Sequence, residues 1–91
     1  MKEINIPNHI YITFFEESAV LLDSKKNIYY MFNDSAADFW KFLVKSGSLE
    51  ETLKELTGLY ECSPAMIIKD MEFLVERLIK SGLLETKINK I

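Results

Sequence analysis

Asn27-Ile28-Tyr29-Tyr30-Met31-Phe32-Asn33-Asp34-Ser35-Ala36-Ala37-Asp38-Phe39-Trp40 divides the chain in two. Ile28 to Phe32 is an aromatic, apolar run of the type that favours a strand. It stops at Asn33, a residue suited to accept a hydrogen bond from an orphan backbone N–H at a helix start. Ala36, Phe39, Trp40 and Leu43 then recur at helical spacing. Everything before this stretch reads as short strands and everything after it as helices, so it marks the seam of a small α+β domain. The last strand of such a meander has a free edge unless something covers it, and a free aromatic edge is a landing place for an extended peptide.

Working outward toward the N-terminus, Ala19-Val20-Leu21-Leu22-Asp23 is nearly continuous in apolar character, which fits a central strand. His9-Ile10-Tyr11-Ile12-Thr13-Phe14-Phe15 supplies the strand before it. Glu16-Glu17-Ser18 and Ser24-Lys25-Lys26-Asn27 are the turns, short enough to make the three strands an antiparallel meander. Residues 1–8 are a loose lead-in, residues 9–85 a single domain, and residues 86–91 a mobile basic tail.

The helices are clearly punctuated. Gly47 ends the first. Ser48-Leu49-Glu50-Glu51 is a capping box in which Ser48 and Glu51 satisfy each other's backbone donors, and Leu49, Leu53, Leu56 and Tyr60 form one stripe. Ser63-Pro64 opens the third helix, which stops at Gly82. On that helix Ile67, Ile68, Met71, Leu74, Val75, Leu78 and Ile79 make a broad core stripe. Met66, Asp70, Phe73 and Arg77 fall on a neighbouring stripe. Phe73 is then either the rim of a wide core face or part of the wall of a groove.

Composition narrows the function classes. A chain of 91 residues that is 48% hydrophobic and 27% charged holds one ordinary core. A net charge of −3 argues against a nucleic-acid or anionic-membrane partner. The third helix carries Lys69, Arg77 and Lys80 against Asp70, Glu72 and Glu76, a balance of zero, where a winged-helix DNA binder needs a basic surplus. DNA binding is nevertheless the main rival on fold grounds. The single Cys62 excludes an internal disulfide and fits a reducing, cytoplasmic location. No apolar run approaches the roughly 18 residues of a membrane span. His9 is the only histidine, so no Cys-His or Ser-His pair is credible, and no spacing suggests a metal or cofactor.

The ordered motifs resemble a known family. Val20-Leu21-Leu22-Asp23, Tyr29-Tyr30-x-Phe32-Asn33-x-x-Ala36-x-x-Phe39-Trp40, Gly47-Ser48-x-Glu50, Tyr60-x-Cys62-Ser63-Pro64, Asp70-x-x-x-Leu74-x-x-x-Leu78 and Gly82-Leu83-Leu84 follow the PqqD-like pattern. That family comprises the pyrroloquinoline quinone biosynthesis chaperone and the related recognition elements of ribosomally made, modified peptides. The likeness covers residues 9 to 85. Ile28 departs from the small or basic residue frequent there, and Cys62 from an apolar β-branched one. The Leu-Leu-Asp before the turn looks more like the stand-alone lasso-peptide members.

The resemblance implies a winged-helix-like domain, a three-stranded antiparallel meander followed by three helices, that is not an enzyme. It implies capture of a precursor's leader peptide as an added strand and its presentation to a modifying enzyme, such as a leader peptidase or a radical SAM enzyme. Carried onto this chain, the receiving strand is Ile28, Tyr29, Tyr30, Met31 and Phe32. The helix wall is Met66, Asp70, Phe73 and Arg77, with Met71 and Leu74 beneath. Strand alternation assigns Ile28, Tyr30 and Phe32 to the core and Tyr29 and Met31 to the outer face. The Asp70 and Arg77 pair would fix ligand polarity or meet a leader charge, unless it is a solvated helix face. The exposed edge also permits an edge-paired dimer in place of a monomer.

Overall fold

The computed structural model describes residues 4–61 and 63–86. Five strands and three helices follow in the order β1 (Ile4–Asn5), β2 (Ile10–Phe14), β3 (Ser18–Asp23), β4 (Ile28–Asn33), α1 (Asp34–Ser46), α2 (Leu49–Tyr60), α3 (Pro64–Ser81) and β5 (Glu85–Thr86). The meander and the three helices are those expected.

β3 is the central strand of an antiparallel sheet ordered β2-β3-β4. Ala19, Leu21 and Asp23 point inward and are buried. Their partners on β4 are Phe32, Tyr30 and Ile28, and on β2 Phe14, Ile12 and Ile10. Directly paired residues share a face, so one side of the sheet collects this apolar set. The helices cover that side, with α1 packed on β3 and β4 and α2 packed on α1 and α3. Trp40 and Phe39 are the largest buried side chains. Trp40 stands 5.9 Å from the Phe32 ring and 5.8 Å from Phe39, the tilted and edge-on geometries that aromatic quadrupoles favour.

Ile28 departs from its core assignment. It shares the inner face but is 44% exposed. It sits beside the turn, whereas α1 starts immediately after Asn33 and covers the other end of β4.

Two helix starts also differ from expectation. Asn33 occupies the cap position of α1 in extended conformation, but its side chain makes no capping bond. Asp34 instead adopts a left-handed φ of 53°. The strand must swing into the helix within one residue, and short polar side chains tolerate that conformation best after glycine. At α2, Ser48 Oγ accepts from the Glu51 N–H at 3.3 Å, as a capping box requires. The return half does not come from Glu51. The Ser48 N–H donates to Ser46 Oγ at 3.2 Å, while Glu51 lies 3.9 Å from Lys54. The nearer hydroxyl has displaced the carboxylate.

Gly47 and Gly82 close α1 and α3 with φ of 68° and 84°, left-handed values that favour glycine. Beyond Gly82, Leu83 and Leu84 are buried, and β5 returns to pair with β1 through Ile4↔Thr86 and Asn5↔Glu85. Asn5 Nδ2 donates to Glu85 Oε1 at 2.6 Å. The lead-in is therefore tied to the chain that follows α3 at Ile4–Asn5, and Pro7 beyond it is buried. The expectations for Cys62 and for residues 87–91 fall outside the described residues.

Candidate functional site

The sheet hydrogen bonds decide what β4 offers. The Ser18 carbonyl accepts from Phe15 at 2.8 Å, and the Ser24 N–H donates to His9 at 3.0 Å. Both bonds point toward β2. Backbone polar groups alternate sides along an antiparallel strand, so Ala19, Leu21 and Asp23 of β3 turn theirs toward β4. Their partners Phe32, Tyr30 and Ile28 are thus the β4 residues bonded to β3. Tyr29 and Met31 direct N–H and C=O to the open side, where β4 is an edge. Their side chains point to the outer face of the sheet and are 71% and 68% exposed.

Beside this edge lies a cleft of about 680 Å³ between β4 and α3. Tyr30, Met31 and Phe32 form one wall, and Leu74, Arg77 and Leu78 the other. Asn33 and Ala36 close one end, and Lys80 and Ser81 lie toward the other, with the buried Leu83 also in the lining. Leu74, Arg77, Leu78 and Ser81 recur at three- and four-residue spacing, one stripe of α3.

Five of the residues expected at the site meet here: Tyr30, Met31, Phe32, Leu74 and Arg77. Ile28 and Tyr29 belong to the same strand but do not line the cleft. Met66, Asp70 and Phe73 are exposed on α3 outside it, Phe73 at 61%. Met71 is only 6% exposed and is a core residue. The face of α3 turned toward β4 runs through 74, 77, 78 and 81, about one helical row away from the Met66–Phe73 stripe. Asn33, Ala36, Leu78, Lys80, Ser81 and Leu83 are lining residues absent from the expected set. Leu78, four residues after Leu74, and Lys80 and Ser81, three and four after Arg77, carry the same helical-spacing signal.

The cleft is locally cationic. Arg77 and Lys80 line it, and no carboxylate among the described residues does. Among the described residues neither cation forms an ion pair within 4.0 Å, and Asp70 does not bridge to Arg77. Lys26 Nζ donates to the Ser81 carbonyl at 3.1 Å, which joins the β3–β4 turn to the end of α3.

Asp23 holds that turn. Its Oδ1 accepts from the N–H groups of Lys25 and Lys26 at 3.0 and 3.1 Å, and His9 Nε2 lies 3.7 Å away. Burial pushes the carboxyl up, but the two backbone donors, with the charges of His9 and Lys26, prevail and hold it below the usual value. Asp23 Oδ2 and Trp40 Nε1 are buried with no partner among the described residues. The Tyr60 hydroxyl, at the end of α2, donates to Asp38 of α1. Burial first, and Asp38 second, push this phenol up to about 12. These contacts fasten one element to another. No cluster of three metal-binding side chains occurs among the described residues, and no helix among them is long and apolar enough to cross a membrane.

The sequence model of the family described as coenzyme PQQ synthesis protein D (PqqD) matches residues 18–84, from the start of β3 to the end of the buried Leu83-Leu84 pair. The chain belongs to the PqqD family. No curated protein matches it. Two solved structures resemble this PqqD-family chain. The first, described as TbiB1 in complex with the TbiA(beta) leader peptide, superposes with a TM-score of 0.85 over 93% of this chain and 99% of its own, at 18% identity. The second, described as lasso peptide synthetase B1 complexed with the leader peptide, gives a TM-score of 0.77 over 90% of this chain and 96% of its own, at 27% identity.

Proposed function

We propose that this PqqD-family chain is a non-catalytic recognition element that captures the leader segment of a ribosomally made precursor peptide and presents it to a modifying enzyme. The observation that carries this reading is the open edge of β4, with the outward backbone of Tyr29 and Met31 bordering a cleft walled by α3. A guest strand laid antiparallel to β4 would satisfy those groups, and its inward side chains would enter the cleft. The two solved relatives are both described as bound to leader peptides, and one is a lasso peptide synthetase component. These descriptions favour a lasso-type pathway, and the modifying enzyme would be one such as a leader peptidase or a radical SAM enzyme.

The magnitudes suit a tether. Two or three apolar anchors contribute about 2 kcal/mol each, and strand hydrogen bonds about 1 kcal/mol each. Ordering a flexible peptide costs about 2–5 kcal/mol, and association costs more. The surplus corresponds to dissociation constants of about micromolar to nanomolar. Such a complex holds a substrate for processing and still releases it. We place this action in the cytoplasm, where precursor peptides are made. No observation favours the DNA-binding alternative, since Arg77 and Lys80 line the cleft and the rest of α3 sets Lys69 against Asp70, Glu72 and Glu76, an acidic surplus.

The experiment is a fluorescence titration of the full chain with the N-terminal halves of short peptides encoded beside its gene. Saturable binding of one of them, in the micromolar range or tighter, is expected. Failure of all of them to bind, together with retardation of duplex DNA that weakens with salt, would favour the regulator instead.

A further inference from the structure

The cleft is polarised along its length. The Lys26 bond to Ser81 places the C-terminal end of α3 beside the turn that begins β4. Asn33 and Ala36, at the far end of β4, line the same cleft as Leu74. α3 therefore runs opposite to β4. A guest antiparallel to β4 runs in the direction of α3, meeting Leu74 first and Arg77 and Lys80 later.

These two ends differ in chemistry. Phe32, Ala36 and Leu74 give an apolar end, and Arg77 and Lys80 give a cationic one with no lining carboxylate among the described residues. This occurs on a chain whose net charge is −3, so the local sign is a property of the cleft and not of the whole surface. Lys80 also complements the helix terminus, but Lys26 already donates to the Ser81 carbonyl there. Arg77 lies a turn earlier, among the lining residues, with no ion pair among the described residues.

We infer that the cleft selects a leader carrying an acidic side chain two residues C-terminal to an apolar anchor, the anchor lying against Phe32, Ala36 and Leu74 and the carboxylate between Arg77 and Lys80. The inference rests on the strand-addition reading above. The spacing follows from geometry. From Leu74 to the midpoint of Arg77 and Lys80 is about 7 Å along a helix rising about 1.5 Å per residue. That is the length of about two strand residues at about 3.3 Å each. Residues two apart on a strand share a face, so the anchor and the acid both point into the cleft. A guanidinium takes a carboxylate through two parallel hydrogen bonds, which fixes register as well as adding affinity.

The test is a display selection of random twelve-residue peptides on the immobilised full chain, repeated on the R77E/K80E variant. Both side chains are exposed, and circular dichroism checks that the variant is folded. Selected peptides are expected to enrich Asp or Glu two places after Leu, Ile, Phe or Tyr. A selected peptide should lose about tenfold in affinity on Asp→Asn at that place, and its binding should weaken with salt. The variant should lose the acidic preference. Enrichment of peptides with no acid at that place, or with the acid on the N-terminal side of the anchor, would overturn the inference and leave peptide capture standing. Enrichment of no peptide at all would remove both.

Discussion

Lys26 Nζ and the Ser81 carbonyl, 3.1 Å apart, fasten the hairpin that carries β4 to the terminus of α3. The two walls of the cleft are thus linked at one end by a bond between residues 55 positions apart in the chain. Asp23 preshapes the same turn by accepting from the backbone of Lys25 and Lys26.

Lys26→Met keeps the aliphatic stem and removes this bond. An exposed charge-assisted contact of this kind contributes about 0.5–1 kcal/mol. Thermal unfolding should shift down by about 2–8 °C for a domain of this size. Leader affinity should fall a few-fold as the cleft width becomes less defined. An unchanged melting temperature and affinity would show that the bond plays no part in shaping the cleft.

Proline scanning of β4 separates its two sides. Tyr29→Pro and Met31→Pro remove an outward N–H, which an edge strand tolerates. Both variants should fold by circular dichroism and bind leader at least about tenfold more weakly, through lost pairing and a less regular edge. Tyr30→Pro removes an N–H bonded to Leu21 and should destabilise the fold itself. Wild-type affinity in folded Tyr29→Pro and Met31→Pro variants would exclude strand addition.

Phe73 and Arg77 should behave differently. Arg77 lines the cleft and Phe73 does not. Phe73→Ala is expected to change leader affinity by less than about twofold, whereas Arg77→Glu should weaken it by about tenfold or more, both with unaltered circular dichroism. Equal losses in both variants would move the peptide path toward the Met66–Phe73 stripe.

Acid stability reports on the turn. The Asp23 carboxyl is held below its ordinary 3.8, so the folded state binds its proton less readily than the unfolded chain. Its contribution is present in full above the unfolded value and is lost as pH falls from there through the lower folded value. Asp23→Asn should therefore lower stability at pH 7 and flatten the stability curve below about pH 4. A parallel offset between variant and wild type across that range would show that the charge of Asp23 is not what matters.

Much of this architecture is legible in the residue order because it is set locally. The aromatic run Ile28–Phe32, the turn at Ser24–Asn27, and the stops at Gly47 and Gly82 need no tertiary information. β1 and β5 were not legible. Two residues each cannot show alternation, and their pairing depends on the return of the chain after Leu84. The walls of the cleft were half legible for a related reason. Strand alternation identifies which β4 groups face outward, but a helix with apolar residues around more than half its girth does not reveal which row will face β4. Phe73 and Met66 are conspicuous as exposed apolar residues, yet the row actually presented is the plainer Leu74, Arg77, Leu78 and Ser81. Met71, on the core stripe, is buried by the packing of α3.

The central claim is that a guest strand pairs with the open edge of β4, and backbone amide hydrogen exchange measured residue by residue, with and without bound leader, tests it most directly. The amides of Tyr29 and Met31 should exchange readily in the free protein and become protected in the complex, while those of Tyr30 and Phe32, already bonded to β3, change little. A bound leader that leaves the Tyr29 and Met31 amides exchanging as in the free protein would contradict the account.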